Sequence, residues 1–126
     1  MLDLLGKEVY YCVVSETTSK RRPSPANWQY SYAVKKKKAT VVKIEKLLDV
    51  QTGKVFVNYG CAYRIENGVG DFFHEENGEL ISNSCSIGGR RRRYYLNPDV
   101  LSAEAEIVKT VVLENYKNGD EVIIAD

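Results

Sequence analysis

The 126-residue sequence predicts a single β-rich α+β domain, in which a curled antiparallel sheet is followed by one long C-terminal helix. Apolar runs with a period of two, separated by Gly, Asn and Pro, dominate the first hundred residues. After Asn97 the apolar period changes to that of a helix. The length is close to that of one typical domain, so we expect one domain over 1–126, with strands over about 7–96, a helix over about 98–118 and a short strand or tail over 119–126.

The first half of the chain predicts a long strand pair and a hairpin. Residues 9–14 are β-branched or aromatic, which is typical of a buried strand. The segment 15–27 contains Pro23 and Pro25 and predicts a long excursion. Residues 28–34 alternate large and small side chains, which predicts three rings on one face of a strand, and 40–50, 51–54 and 55–63 predict strand, turn and returning strand.

The second half predicts short hairpins and then the helix. Asn77 and Gly78 form a tight-turn pair between the short pieces 71–74 and 79–82, and 91–96 predicts one more strand. Asn97, Pro98 and an early acid are a helix start signal. An apolar stripe continues along the helix, and we expect Glu104 to face away from it. The stripe consists of Leu101, Ala105, Val108, Val112 and Tyr116.

Ten side chains are predicted to form one buried core. They are the apolar residues of the expected inner strand faces and of the helix stripe: Val9, Tyr11, Val13, Val42, Ile44, Val55, Val57, Leu101, Val108 and Val112.

Four stretches carry a family resemblance: GKEVYYCVV, KKATVVKIEKL, GKVFVNYG and YYLNPDVLSAEAEIVKTV. In this order they resemble the small SH3-like barrel accessory proteins of phages and mobile elements of Gram-positive bacteria. The resemblance covers most of the chain and includes no catalytic motif, and the regions 15–34 and 66–90 depart from it. It implies an SH3-like barrel followed by a helix, and an origin in a mobile element.

Composition excludes several classes of protein. The net charge of +1 excludes a uniformly basic coat protein, although residues 1–60 hold 11 basic and 5 acidic side chains and residues 61–126 hold 7 and 12. The longest apolar run is too short to span a bilayer, and the first residues lack the pattern of a signal peptide. Cys12, Cys61 and Cys85 suggest no disulfide framework, so we expect a cytoplasmic protein.

Catalytic and metal chemistry find little support, and we expect no enzyme, no cofactor and no metal. His74 is the only histidine and has no Ser or Cys near it in sequence. A metal site of Cys61, His74 and Cys85 would have no short-spaced pair of ligands to organise it. Glu75 and Glu76 are adjacent, so on a strand they would point to opposite faces.

Three basic clusters with neighbouring rings are the best candidate site. Phosphates need cationic groups, and unpaired bases stack on exposed rings. The candidate residues that would contact nucleic acid or a partner are Lys20, Arg21, Arg22, Trp28, Tyr30, Lys35, Lys36, Lys37, Lys38, Arg90, Arg91, Arg92, Arg93, Tyr94 and Tyr95. Alternation along a strand would make Arg91 and Arg93 one pair, and Arg90 and Arg92 the other.

These clusters predict a non-enzymatic intracellular protein that binds nucleic acid or a host protein that handles nucleic acid. An alternative is a mobile-element inhibitor, of the anti-CRISPR or another anti-defence type, that binds a host protein or a nucleotide messenger. Acidic residues at 66–79 would then mimic phosphates. The division of charge also allows a homodimer. The competing structural explanation is that the rings belong to the core and that the charges protect an edge strand or are simply solvated.

Overall fold

A computed structural model describes residues 3–20, 29–115 and 119–125, and for 17–20, 29–30 and 119–121 it describes the backbone alone. The chain forms seven strands and one α-helix in this part. In order they are β1 (Glu8–Lys20), β2 (Gln29–Leu48), β3 (Val55–Ala62), β4 (Asp71–Glu76), β5 (Glu79–Ile87), β6 (Arg90–Tyr94), α1 (Leu101–Asn115) and β7 (Gly119–Ile124). Short 3₁₀ turns occupy Ile65–Asn67 and Pro98–Val100.

The six strands β1 to β6 form an antiparallel sheet in sequence order, and β7 joins β2 in parallel. The sheet curls back on itself. At its far side the backbones of Tyr10 and Tyr95 exchange two hydrogen bonds of 2.8 Å, which connects the end of β6 to β1. The predicted fold class is therefore confirmed as an antiparallel sheet in a nearly closed barrel with one C-terminal helix, and this architecture is compatible with an SH3-like barrel.

The β1–β2 ribbon is longer than the sequence predicted. Residues 15–20 continue β1 instead of starting an excursion, and they pair with β2 as in Glu16 opposite Tyr32. Thr17 and Thr18 are β-branched, so this polar segment can extend as a paired strand. The lysines at 35–38 also lie inside β2, which unites two predicted strands into one of 20 residues. Residues 21–27, the rest of the predicted excursion, lie outside the described part, as does Trp28.

The predicted turns are confirmed. Asp49 closes the β2–β3 turn, because its side chain accepts a hydrogen bond from the Gln51 backbone N–H at 2.9 Å. Asn77 and Gly78 connect β4 to β5 with φ values of 52° and 82°. Positive φ at both central residues is the geometry of a type I′ turn, one of the two turns that two-residue hairpins favour.

Two cores replace the single predicted one, because the sheet buries both of its faces. The inner core lies inside the curled sheet and contains Leu4, Val9, Tyr11, Ala39, Val41, Tyr59, Cys61, Phe73, Leu80 and Tyr94. The helix core lies between the sheet and α1 and contains Cys12, Tyr32, Val34, Leu101, Ala105, Val108, Val112 and Val122. Val13, Ile44 and Val57 pack against the inner core, partly buried.

Two members of the predicted core are wrong. Val55 is 61% exposed, because it lies at the turn end of the β2–β3 hairpin, opposite Leu48. Val42 is only half-buried, whereas its neighbour Val41 is fully buried. A β-bulge explains the exchange, because β2 has one extra residue between Val41 and Lys43 relative to β3 and thereby changes which side chains face inward.

The start and the buried face of the helix agree with the local sequence pattern. The Asn97 side chain accepts a hydrogen bond from the Asp99 backbone N–H at 2.9 Å, and Pro98 occupies the first position of the turn that leads into α1. The first four members of the predicted stripe are buried, as expected, and Tyr116 lies outside the described residues. In the described part of the chain, no helix combines the length and the apolar character needed to cross a membrane.

Candidate nucleic-acid interface

The arginines of β6 form hydrogen bonds and ion pairs with other residues of the protein. Arg90 donates a hydrogen bond from Nη2 to Oε1 of Glu104 on α1 at 2.7 Å, and the Tyr95 hydroxyl donates to the same oxygen at 2.9 Å. The expectation that Glu104 faces away from the apolar stripe is wrong, because this side chain is only 3% exposed. It precedes Ala105 on the buried face of α1, and a carboxylate there requires a cationic partner.

Two further arginines pair with the acidic β4–β5 hairpin. Arg91 donates to Glu76, and Arg93 lies 3.8 Å from Glu79. These carboxylates stand at the end of β4 and the start of β5, on either side of the hairpin turn. Part of the acidic segment that could mimic phosphates is therefore neutralised within the molecule.

Arg92 lies against three tyrosine rings. Its guanidinium carbon is 4.7 Å from the centre of the Tyr11 ring, and Nη1 donates to the hydroxyls of Tyr63 at 2.8 Å and Tyr94 at 3.2 Å. Arg90 and Arg92 thus do not form a pair on one face, because Arg90 reaches α1 instead. The neighbouring strand β5 has extra residues between its pairs with Arg93 and Arg91, so β5 and β6 do not pair continuously here.

Tyr94 is part of the inner core and presents no ring face to solvent. It is 1% exposed, and its hydroxyl donates to Oδ2 of the buried Asp71, which also accepts from Ser82 at 2.8 Å. Burial, together with the hydrogen bond to Asp71, raises the pKa of Tyr94 far above its usual value. Tyr95 packs against the helix core, and burial and the neighbouring Glu104 raise its pKa as well.

An exposed ring that sequence reasoning missed lies beside Arg92. Tyr63 follows the end of β3, is 44% exposed, and has its ring centre 5.8 Å from that of Tyr11. Its ring packs on the backbone of Gly70, where a Cβ would come within 2.5 Å of Cε2 of Tyr63. No sequence signal identifies this contact, because a glycine in a sequence does not show which ring packs on it.

The four lysines of β2 alternate between the two faces of the sheet. Lys36 donates to Oγ of Ser102 on α1 at 3.2 Å, and Lys38 lies 3.6 Å from Glu8. Lys35 and Lys37 are exposed and have no hydrogen-bond or ion-pair partner among the described residues. These two lysines lie on the inner-core face, because Lys37 stands directly across from Tyr11 in the β1–β2 register.

We call Lys35, Lys37, Tyr63 and Arg92 the Tyr63 face. Tyr11 connects its parts, since Lys37 is opposite Tyr11 on the neighbouring strand while Arg92 and Tyr63 contact the Tyr11 ring. The face therefore combines two unpaired ammonium groups, which lie on the same face of the sheet as Tyr11, with a guanidinium and a half-exposed ring that contact Tyr11.

The first basic cluster lies almost wholly outside the described residues. Arg21, Arg22 and Trp28 are not described, and Lys20 and Tyr30 are described only as backbone within β1 and β2. The other two clusters do not form one patch, because the lysines divide between two faces and three of the arginines pair with carboxylates.

Of the candidate metal ligands and nucleophiles, His74 has other side-chain partners and the cysteines are free thiols. His74 contacts Asn83 through Nδ1 and lies 3.3 Å from Glu76 through Nε2. Cys12 and Cys61 are buried free thiols, and burial raises the pKa of each to about 11, which keeps them protonated near neutral pH. Within the described ranges, no group of three or more His, Cys, Asp or Glu residues is arranged to hold a metal ion.

The described residues form a β-rich near-barrel with one compact cationic and aromatic face. When compared with models of protein families, with curated proteins and with solved structures, the chain matches none of them.

Proposed function

We propose that the protein is a non-enzymatic binding protein that holds single-stranded nucleic acid on the Tyr63 face. The observation that supports the proposal is the position of two exposed, unpaired lysines on the same face of the sheet as Tyr11, whose ring contacts the exposed Tyr63 ring. In this proposal Lys35 and Lys37 contact consecutive phosphates and Tyr63 stacks on a base.

Preorganisation favours Tyr63 as the stacking residue. Its hydroxyl accepts from Arg92 and its ring packs on Gly70, so little side-chain entropy remains to be lost on binding. A ring held in this way can stack on any base, because every base has a π face. The phosphate contacts are equally independent of base identity, so we expect binding with little sequence preference.

The cellular setting is part of the same proposal. The near-barrel with one C-terminal helix is the architecture that the resemblance to mobile-element accessory proteins implies. All three cysteines are free thiols, which is typical of a reducing compartment and supports a cytoplasmic location.

A titration with a fluorescent 12-nucleotide oligo-dT at several salt concentrations tests the lysines. Each phosphate contact to a single strand contributes about 0.7 to the slope of log affinity against log salt, so the double variant Lys35→Ala, Lys37→Ala should flatten the slope by about 1.4. The control is Lys46→Ala, Lys54→Ala, which removes the same charge from exposed sites at the far end of the β2–β3 hairpin. Equal slopes in the two double variants would overturn the proposed site.

The ring is tested in the same titration. Tyr63→Ala should weaken binding by about 1–3 kcal/mol without changing the salt slope, because stacking releases no counterions. Phe56→Ala removes an exposed ring of β3 and is the control that should leave affinity unchanged. Absence of oligo-dT binding at low salt would rule out the function itself.

A protein-binding role is the second candidate, in which the protein inhibits a host machine. The observation that favours it is an exposed cleft between β3 and β4, with apolar and acidic side chains in its lining and none of the residues of the Tyr63 face.

A further inference from the structure

Strands β3 and β4 separate after a short region of pairing. They pair only from Cys61 opposite Asp71 to Tyr59 opposite Phe73. Beyond this point, residues 55–58 continue to pair with β2, and 74–76 continue to pair with β5. Among the described residues, neither segment has a backbone partner on the side where β3 and β4 face each other.

The separation leaves backbone hydrogen-bonding groups free on both sides of the cleft. The Cys61 carbonyl accepts from the Gly70 N–H on the β4 side of β3. Backbone groups of alternate residues point to the same side of a strand, so the N–H and C=O of Val57 point into the cleft. By the same alternation from Phe73, the N–H and C=O of Glu75 point into it from β4.

The cleft has the volume and the walls of a peptide groove. It encloses about 880 Å³. Its lining includes Val57 and Glu75 from one face of the sheet, and Phe56 and His74 from the other. Because residues of both faces line the groove, it lies between the unpaired edges of β3 and β4 and not on one face of the sheet.

Apolar surface and negative charge both mark this groove. Phe56 is 52% exposed, and Val55 and Leu47 beside it are also largely exposed. The lining contains Glu75 and Glu76 but neither Lys nor Arg. Glu76 pairs with Arg91 and His74, whereas Glu75 has no ion-pair partner in the described part of the chain. The uncompensated carboxylate is therefore that of Glu75.

We propose that this cleft binds an extended peptide of a partner protein, which adds a strand between β3 and β4 through the backbone groups of Val57 and Glu75. The peptide carries a basic residue that pairs with Glu75 and an apolar residue that packs on Phe56. Strand addition satisfies the open N–H and C=O groups, which a compact or helical partner would leave unpaired. The negative charge of Glu75 disfavours nucleic acid as the occupant.

Three acetylated octapeptides test the proposal with the intact protein. The first alternates lysine and valine, the second alternates glutamate and valine, and the third repeats the first with N-methylated valines that cannot donate backbone hydrogen bonds. The lysine peptide should bind, and it should slow amide hydrogen exchange at Val57 and Glu75 at least tenfold. The other two peptides should bind at least tenfold more weakly.

Matched variants locate the peptide and separate this proposal from nucleic-acid binding. Glu75→Lys should weaken the lysine peptide at least tenfold, whereas Glu66→Lys, the same change at an exposed acid outside the cleft, should not. Phe56→Ala should weaken peptide binding and leave oligo-dT binding intact. Tyr63→Ala should do the reverse, so each proposal can fail without the other.

Four results would overturn the peptide proposal. The first is that the lysine peptide does not bind at millimolar concentration, and the second is that the N-methylated peptide binds as tightly as the lysine peptide. The third is that Glu75→Lys and Glu66→Lys weaken the lysine peptide equally. The fourth is that oligo-dT, or self-association of the peptide-free protein, slows amide exchange at Val57. The last of these would assign the cleft to nucleic acid or to a second copy of the chain.

Discussion

At the scale of single residues, carboxylates on other elements pair with three of the four arginines of β6. A run of four arginines in a sequence suggests a free cationic surface, but Glu104 and Asp71 lie in the interior and draw Arg90 and Tyr94 toward them. The sequence could not show this, because Glu104 is one of several acids on a helix that also has exposed ones. Glu104 can be recognised as buried, and told apart from the exposed acids of the helix, only when the position of β6 against α1 is known.

Glu104→Gln should destabilise the fold. The substitution keeps the size of the side chain but removes the charge that Arg90 faces at 2.7 Å, and it leaves a half-buried guanidinium without its counter-ion. We expect the free energy of unfolding in urea to fall by about 2–4 kcal/mol. Glu106→Gln is the control, because Glu106 lies on the same helix and is exposed. Equal stability of the two variants would show that the Arg90–Glu104 pair contributes nothing to the fold.

At the scale of elements, local signals were sufficient for turns and for the helix but not for long strands. Asn97 with Pro98, and Asn77 with Gly78, act through their own backbone geometry, so the sequence pattern predicted both features. The length of β2 depends instead on pairing with β1 along its lysine-containing segment, a non-local condition. The bulge at Val42 likewise depends on pairing with β3. The sequence correctly predicted alternating buried residues here, but the bulge buries Val41 in place of the predicted Val42.

Val112→Asp should unfold the protein, because Val112 is fully buried between α1 and the sheet. A charge placed there without a partner should cost at least about 4 kcal/mol in the free energy of unfolding. Leu113→Asp is the matched control on the exposed face of the same helix turn, since Leu113 is 51% exposed. Urea denaturation followed by circular dichroism measures both variants. A stable Val112→Asp protein would mean that α1 does not cover the sheet in solution.

At the scale of the whole molecule, the near-closure of the sheet creates the candidate surface. The Tyr10–Tyr95 connection brings β6 next to β1, and this places Arg92 over Tyr11 beside the lysines of β2. The sequence predicted the curled sheet and proposed Lys35, Lys37 and Arg92 as candidates, but it could not select them from their neighbours. That selection requires knowing which side chains share a face and which are already paired. Tyr63 joins the site through tertiary contacts with Tyr11, Arg92 and Gly70, which the sequence does not show.

The most direct test of the central claim is to map oligo-dT onto the protein by amide chemical shifts during a titration at low salt. We expect the largest shift changes at Lys35, Lys37, Tyr63 and Arg92 on the Tyr63 face, and no change at Phe56 and Glu75 in the cleft. The claim would be contradicted if the changes were centred elsewhere, or if they were spread evenly over all exposed lysines.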